Sequence, residues 1–120
     1  MAVVLPTRVQ HGANGQDVFE WAGLANGDTG GWLVIAGKND KSVHAYGTWG
    51  AGGNVRMEGT LETGTPANPA TLHDPSVTAL NLTTSVSTNA ILEHLHQIRP
   101  NVTAGDGTTS LTVRVAVYAR

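Results

Sequence analysis

From Leu111 onward the chain alternates: Leu111, Val113, Val115 and Val117 are aliphatic, and Thr112, Arg114, Ala116 and Tyr118 stand between them. A two-residue period is that of a strand with one buried face, so this run is predicted as a strand with the four aliphatic side chains on a core. The same period recurs upstream. Over residues 42–49, Val43, Ala45 and Gly47 oppose His44, Tyr46 and Thr48; over residues 55–61, Val55, Met57 and Gly59 oppose Arg56, Glu58 and Thr60. Residues 17–24 predict a further strand holding Phe19 and Trp21. Residues 32–36 are an almost unbroken apolar run, the pattern of a central strand covered on both faces. Residues 77–84 alternate weakly around Leu80 and Leu82. Residues 90–98 carry some helix propensity but run into Arg99-Pro100, and a residue before proline is pushed towards extended geometry, so a strand is expected there.

Turn chemistry separates these runs. Ala25-Asn26-Gly27-Asp28-Thr29-Gly30-Gly31 is a turn on composition alone. Gly50-Ala51-Gly52-Gly53-Asn54 and Gly105-Asp106-Gly107 supply residues that tolerate positive φ, and both are expected as tight hairpin loops. About eight short strands at 8–12-residue spacing argue for one all-β domain, a β-sandwich of jelly-roll-like type, over residues 17–120. Residues 1–16 read as an extended N-terminal arm: Val3, Val4 and Leu5 are apolar, Pro6 follows, and residues 10–16 are polar and glycine-containing. The apolar tip either covers a neighbouring subunit or forms the first edge strand of its own domain.

Composition changes the picture in one respect. Only 13% of the 120 residues are charged and the formal net charge is −2, whereas an average soluble protein is about 25% charged. Such a surface suits a protein that keeps much of itself against a partner. The seven Lys and Arg are scattered from Arg8 to Arg120, which disfavours direct nucleic-acid binding. No stretch reaches the length of a membrane-spanning helix. The apolar N-terminus lacks a basic region and meets Pro6 at once, so it is not read as a signal peptide. The absence of cysteine removes disulfides, thiolate metal sites and cysteine nucleophiles.

Chemistry is sparse. His94 and His96 are two apart and would share a face on a strand, a spacing that can serve a metal. A site would need His44, His73 or Asp74 as a third ligand, and ordinary surface histidines are the favoured reading. Glu58, Glu62, Asp74 and Glu93 form no recognisable carboxylate pair. No nucleophile elbow, phosphate loop or dinucleotide fingerprint is present. A non-enzymatic protein without metal or cofactor is therefore expected. Trp21, Trp32 and Trp49 each adjoin a turn. They could stack on sugar rings if exposed together, but a place in the core or in a subunit interface is favoured.

Several segments resemble a group of small tailed-phage virion structural proteins of the capsid decoration, or cement, type. Residues 19–30, from Phe19-Glu20-Trp21 to Gly27-Asp28-Thr29-Gly30, are similar to the strand and turn that open the family's core. Residues 43–60, through Tyr46-Gly47-Thr48-Trp49-Gly50-Ala51-Gly52-Gly53-Asn54, are similar to its central hairpin. Leu72-His73-Asp74-Pro75 and residues 98–120 complete an ordered match over about two-thirds of the chain. The chain departs from the pattern at residues 61–71, where relatives carry a Ser-Asn-Asp-Gly-x-x-Trp loop. The resemblance implies a virion component without catalysis, made in the bacterial host cytoplasm and placed on the capsid surface. It would bind the major capsid protein as a homo-oligomer, expected as a trimer, without nucleic acid or membrane. Val3, Val4, Leu5, Trp21, Trp49 and Tyr118 are the candidate interface residues. The alternative is a carbohydrate-binding jelly-roll module of a phage tail or capsid used in host attachment.

Overall fold

The computed structural model describes residues 2–11, 16–35 and 40–118. Among them the fold is all-β, with two sheets packed face to face. The first sheet runs β1 (Val3–Val4), β4 (Thr29–Gly30), β11 (Gln97–Ala104), β7 (Asn54–Thr60) and β8 (Ala70–Thr71), with β5 (Leu33–Val34) also on β11 and β9 (Asn81–Leu82) also on β7. The second runs β10 (Thr88–Ala90), β6 (Asp40–Thr48), β12 (Ser110–Tyr118), β3 (Gln16–Leu24) and β2 (Thr7–His11). Between the sheets lie Trp21, Leu24, Val43, Met57, Ile98 and the four aliphatic residues of β12, all enclosed.

The alternation sets these faces. Leu111, Val113, Val115 and Val117 are each 0% exposed, while Thr112, Arg114, Ala116 and Tyr118 point away from the core. One local irregularity is informative. Leu111 pairs with Leu24 and Val113 with Trp21, so β3 carries one residue more than β12 over that interval. Gly23 takes φ +71° there, a left-handed conformation that costs glycine little. This bulge turns both Trp21 and Leu24 inward although they are three apart.

The two loops expected as hairpins are instead arches between sheets. β6 and β7 lie in different sheets, and so do β11 and β12. The arches sit side by side at one end of the sandwich. Ala51 N donates to Asp106 Oδ2 at 2.8 Å, and Thr109 Oγ1 donates to the Trp49 carbonyl at 2.9 Å. Glycine and aspartate serve a hairpin and an arch equally well; packing of the two flanking strands on opposite sides of one core decides between them.

Other expectations change as well. Residues 32–36 do not form a central strand: the strand is Leu33–Val34, Val34 is exposed, and Ala36 lies outside the described residues. Residues 77–84 contribute only Asn81–Leu82, plus a bridge between His73 and Ala79. The strand near residue 98 begins at Gln97, and residues 91–96 belong to neither helix nor strand.

The N-terminal segment is no separate arm over its described residues. β1 runs parallel to β4 at the edge of the first sheet, and β2 is antiparallel to β3 at the edge of the second. Thr29 N donates to the Ala2 carbonyl at 3.0 Å and Gly31 N to the Val4 carbonyl at 2.6 Å. Asp28 accepts from Ala2 N and from Ala25 N, both at 2.9 Å. A buried carboxylate with two backbone donors clamps the segment to the first turn. Residues 12–15 of the expected arm lie outside the described residues.

Candidate functional site

On the outer face of the first sheet, Arg56 and Glu58 are two apart on β7, and Arg99 and Asn101 are two apart on β11. Register places Arg99 opposite Glu58 and Asn101 opposite Arg56. Glu58 is buried at 4% exposure. It accepts from Arg56 Nε at 3.0 Å and Nη2 at 2.7 Å, from Arg99 Nε at 2.9 Å, and from Asn101 Nδ2 at 3.2 Å. Burial alone would raise its pKa, but the bonds from Arg56, Asn101 and Arg99 together outweigh it and hold the carboxyl below the usual carboxylate range. The Arg99 guanidinium also lies 4.5 Å from the Trp32 ring centroid, within cation–π reach.

Two guanidinium groups on one carboxylate leave this cluster with one net positive charge, held in a fixed geometry. The apolar residues around it are exposed. Val3 pairs with Thr29, which pairs with Asn101, so Val3 shares the outer face and is 65% exposed. Leu5, beyond the edge, is 75% exposed, and Val34 on β5 is exposed as well. β1 is the last strand on its side of the sheet among the described residues. An open edge, exposed aliphatic side chains and preset arginines beside a tryptophan are the elements of an interaction surface.

The six residues expected at an interface do not form one patch. Val3 and Leu5 stand exposed at the β1 edge, whereas Val4 turns inward onto the core. Trp21 lies in the core and not at an interface: it is 0% exposed and its Nε1 donates to the Gly31 carbonyl at 3.0 Å, so no partner can reach it. Gly30 permits this, since a Cβ there would meet Trp21 Nε1 at 2.6 Å and Pro100 Cδ at 2.5 Å. Trp49 is half-buried against the core beside the paired arches. Tyr118 is half-buried at the other end of the second sheet, opposite Asp40, and its hydroxyl accepts from Gln16 Nε2 at 3.1 Å. The three tryptophans therefore provide no common sugar-stacking platform.

The histidines are separated too. His94 Nδ1 accepts from Lys41 Nζ at 3.0 Å, and His73 Nδ1 pairs with Glu93. Lys41 continues the inward phase of Val43 and Ala45 and is buried. Burial lowers its pKa, opposed by the charges of Asp40 and Glu93. No three metal-ligating side chains converge among the described residues. The Arg56–Glu58–Arg99–Asn101 cluster escaped the sequence reading. Its signal was the same-face spacing of Arg56 with Glu58 and of Arg99 with Asn101, which acquires meaning only when β7 and β11 are known to pair.

The fold and this face define an all-β sandwich with a preset polar cluster beside an open sheet edge. No family model matches the chain, and no curated protein matches it. Among solved structures, the crystal structure of SPBc2 prophage-derived protein YomS is similar in fold. Its TM-score is 0.60 at 13% identity, over 85% of this chain and 93% of that one.

Proposed function

We propose that this protein is a non-enzymatic structural component of a tailed-phage virion that binds the outside of the assembled capsid and stabilises it. The observation that carries the reading is the fold shared with a prophage-derived protein over most of both chains. The proposed contact is the β1 edge with Val3, Leu5 and Val34 and the adjoining Arg56–Glu58–Arg99–Trp32 cluster. Strand addition to an open edge supplies main-chain hydrogen bonds, and exposed aliphatic residues supply apolar area. Arginines already held by Glu58 and Trp32 lose less freedom when a partner carboxylate meets them. The partner is the major capsid protein, and the protein acts as a homo-oligomer, expected as a trimer because capsids offer three-fold positions between capsomers.

The physical principle is mass action. A protein that binds only the closed shell stabilises it by its binding free energy at every site. The test is add-back. Heads lacking the protein should assemble but release genome at lower temperature, and purified protein should restore heat resistance. A Val3→Ser/Leu5→Ser variant that folds normally should restore it poorly. Depleted heads as heat-stable as complete ones would refute the reading.

A further inference from the structure

The outer face of the second sheet carries a feature that the capsid reading does not use. Register places Ala90, Ser42, Ala116 and Val18 in one row across β10, β6, β12 and β3. All four are small or short. The row on one side is Thr88, His44, Arg114 and Glu20; the row on the other is Asp40, Tyr118 and Gln16. Beside the longer side chains of His44 and Arg114, the small residues Ser42, Ala116 and Val18 leave a shallow trough. It is open to solvent, has a volume of about 320 Å³ and is lined by Val18, Ser42, His44, Thr88, Arg114 and Ala116. Four strands set about 4.8 Å apart make it about 14 Å long, enough for one or two pyranose rings.

The walls are chemically mixed. Val18 and Ala116 offer apolar contact on the floor. Ser42 and Thr88 present hydroxyls, and His44 an imidazole whose ring centroid lies 5.1 Å from that of Tyr46. Arg114 Nε donates to Glu20 Oε2 at 2.6 Å. Arg114 is thereby held in place with its charge offset by Glu20, while guanidinium N–H groups remain to donate. Apolar floor, hydroxyls and a neutralised arginine suit a ring with C–H faces and hydroxyl edges, and not an anion such as phosphate.

We propose that this trough is a binding site for a neutral saccharide, with the ring on Val18 and Ala116 and its hydroxyls on Ser42, His44 and Arg114. The site is shallow and covers only part of a ring, so a single copy should bind weakly. Several copies on one particle would gain avidity without new contacts. The site is independent of the capsid contact, which lies on the other sheet.

The experiment is amide chemical-shift titration of the full chain with methyl glucoside, methyl galactoside, methyl mannoside and N-acetylglucosamine, with inorganic phosphate as a separate arm. At least one saccharide should shift the amides of residues 42–44 and 114–116 saturably. Ala116→Tyr fills the trough from the outer face and should abolish those shifts while leaving the thermal midpoint and particle binding unchanged. His44→Ala should weaken binding at least threefold, and it stands as the second probe if Ala116→Tyr does not fold. The proposal is overturned if no saccharide perturbs these residues, if binding survives both substitutions, or if phosphate binds here and the neutral sugars do not.

Discussion

Replacing Glu58 by glutamine probes the polar cluster with little change in shape. The carboxylate takes four hydrogen bonds from two guanidinium groups and an amide. Hydrogen bonds to charged groups contribute about 1.5–3 kcal/mol each when removed singly, and losing one partner of a fully buried ion pair costs about 3–5 kcal/mol. Two features reduce the cost. Arg56 and Arg99 keep 38% and 22% of their side-chain surface exposed and can return to water, and the amide oxygen still accepts. The expected loss at pH 7 is therefore about 2–3 kcal/mol, against roughly 5–15 kcal/mol for a whole domain. In a chain of this size that corresponds to a fall in melting temperature of roughly 8–15 °C. The assay is urea and thermal unfolding of wild type, Glu58→Gln, Arg99→Gln and the double variant.

The pH dependence has a fixed sign. The folded pKa of Glu58 lies below its ordinary value of 4.5. Its contribution is complete above 4.5 and lost as pH falls through the lower folded value. The gap between wild type and Glu58→Gln should therefore narrow in acid. A loss below about 0.5 kcal/mol at pH 7, or strict additivity of the two single changes, would refute the argument, since residues in one network should couple.

Three further outcomes follow from the same geometry. Val115→Asp places a charge in the enclosed core and should unfold the domain or cost several kcal/mol, whereas Thr112→Asp on the outer face should cost under about 1 kcal/mol in urea unfolding. Asp106 is held at about pKa 2, first by the Thr108 hydroxyl and then by the Ala51 and Thr108 amides, against an ordinary 3.8. Its stabilising contribution is present above pH 3.8 and lost towards pH 2, so Asp106→Asn should flatten thermal stability over that window. Val77 sits exposed at φ +63°, a left-handed conformation unfavourable for a β-branched residue. Val77→Asn should raise the melting temperature by a few degrees, worth about 1 kcal/mol.

Much of the fold was legible in the sequence because alternation is a local property. The period of two along residues 111–118 assigns four aliphatic side chains to one face before any partner strand is known, and the same holds at residues 43–46 and 55–57. The glycine-rich loops were equally plain, since positive φ has a composition. Tertiary structure alone decided what those loops connect. Glycine and aspartate let the chain reverse, but whether it reverses within one sheet or arches to the other depends on which strands meet across the core. The edge positions of residues 3–11 were undecided for the same reason: an apolar tip followed by proline fits an arm or an edge strand, and the clamp from Asp28 is made across 26 residues of sequence. The polar cluster and the trough are both products of register. Arg56, Glu58, Arg99 and Asn101, and likewise Ala90, Ser42, Ala116 and Val18, share no pattern along the chain that joins them. They become a site only when strands distant in sequence are set side by side about 4.8 Å apart.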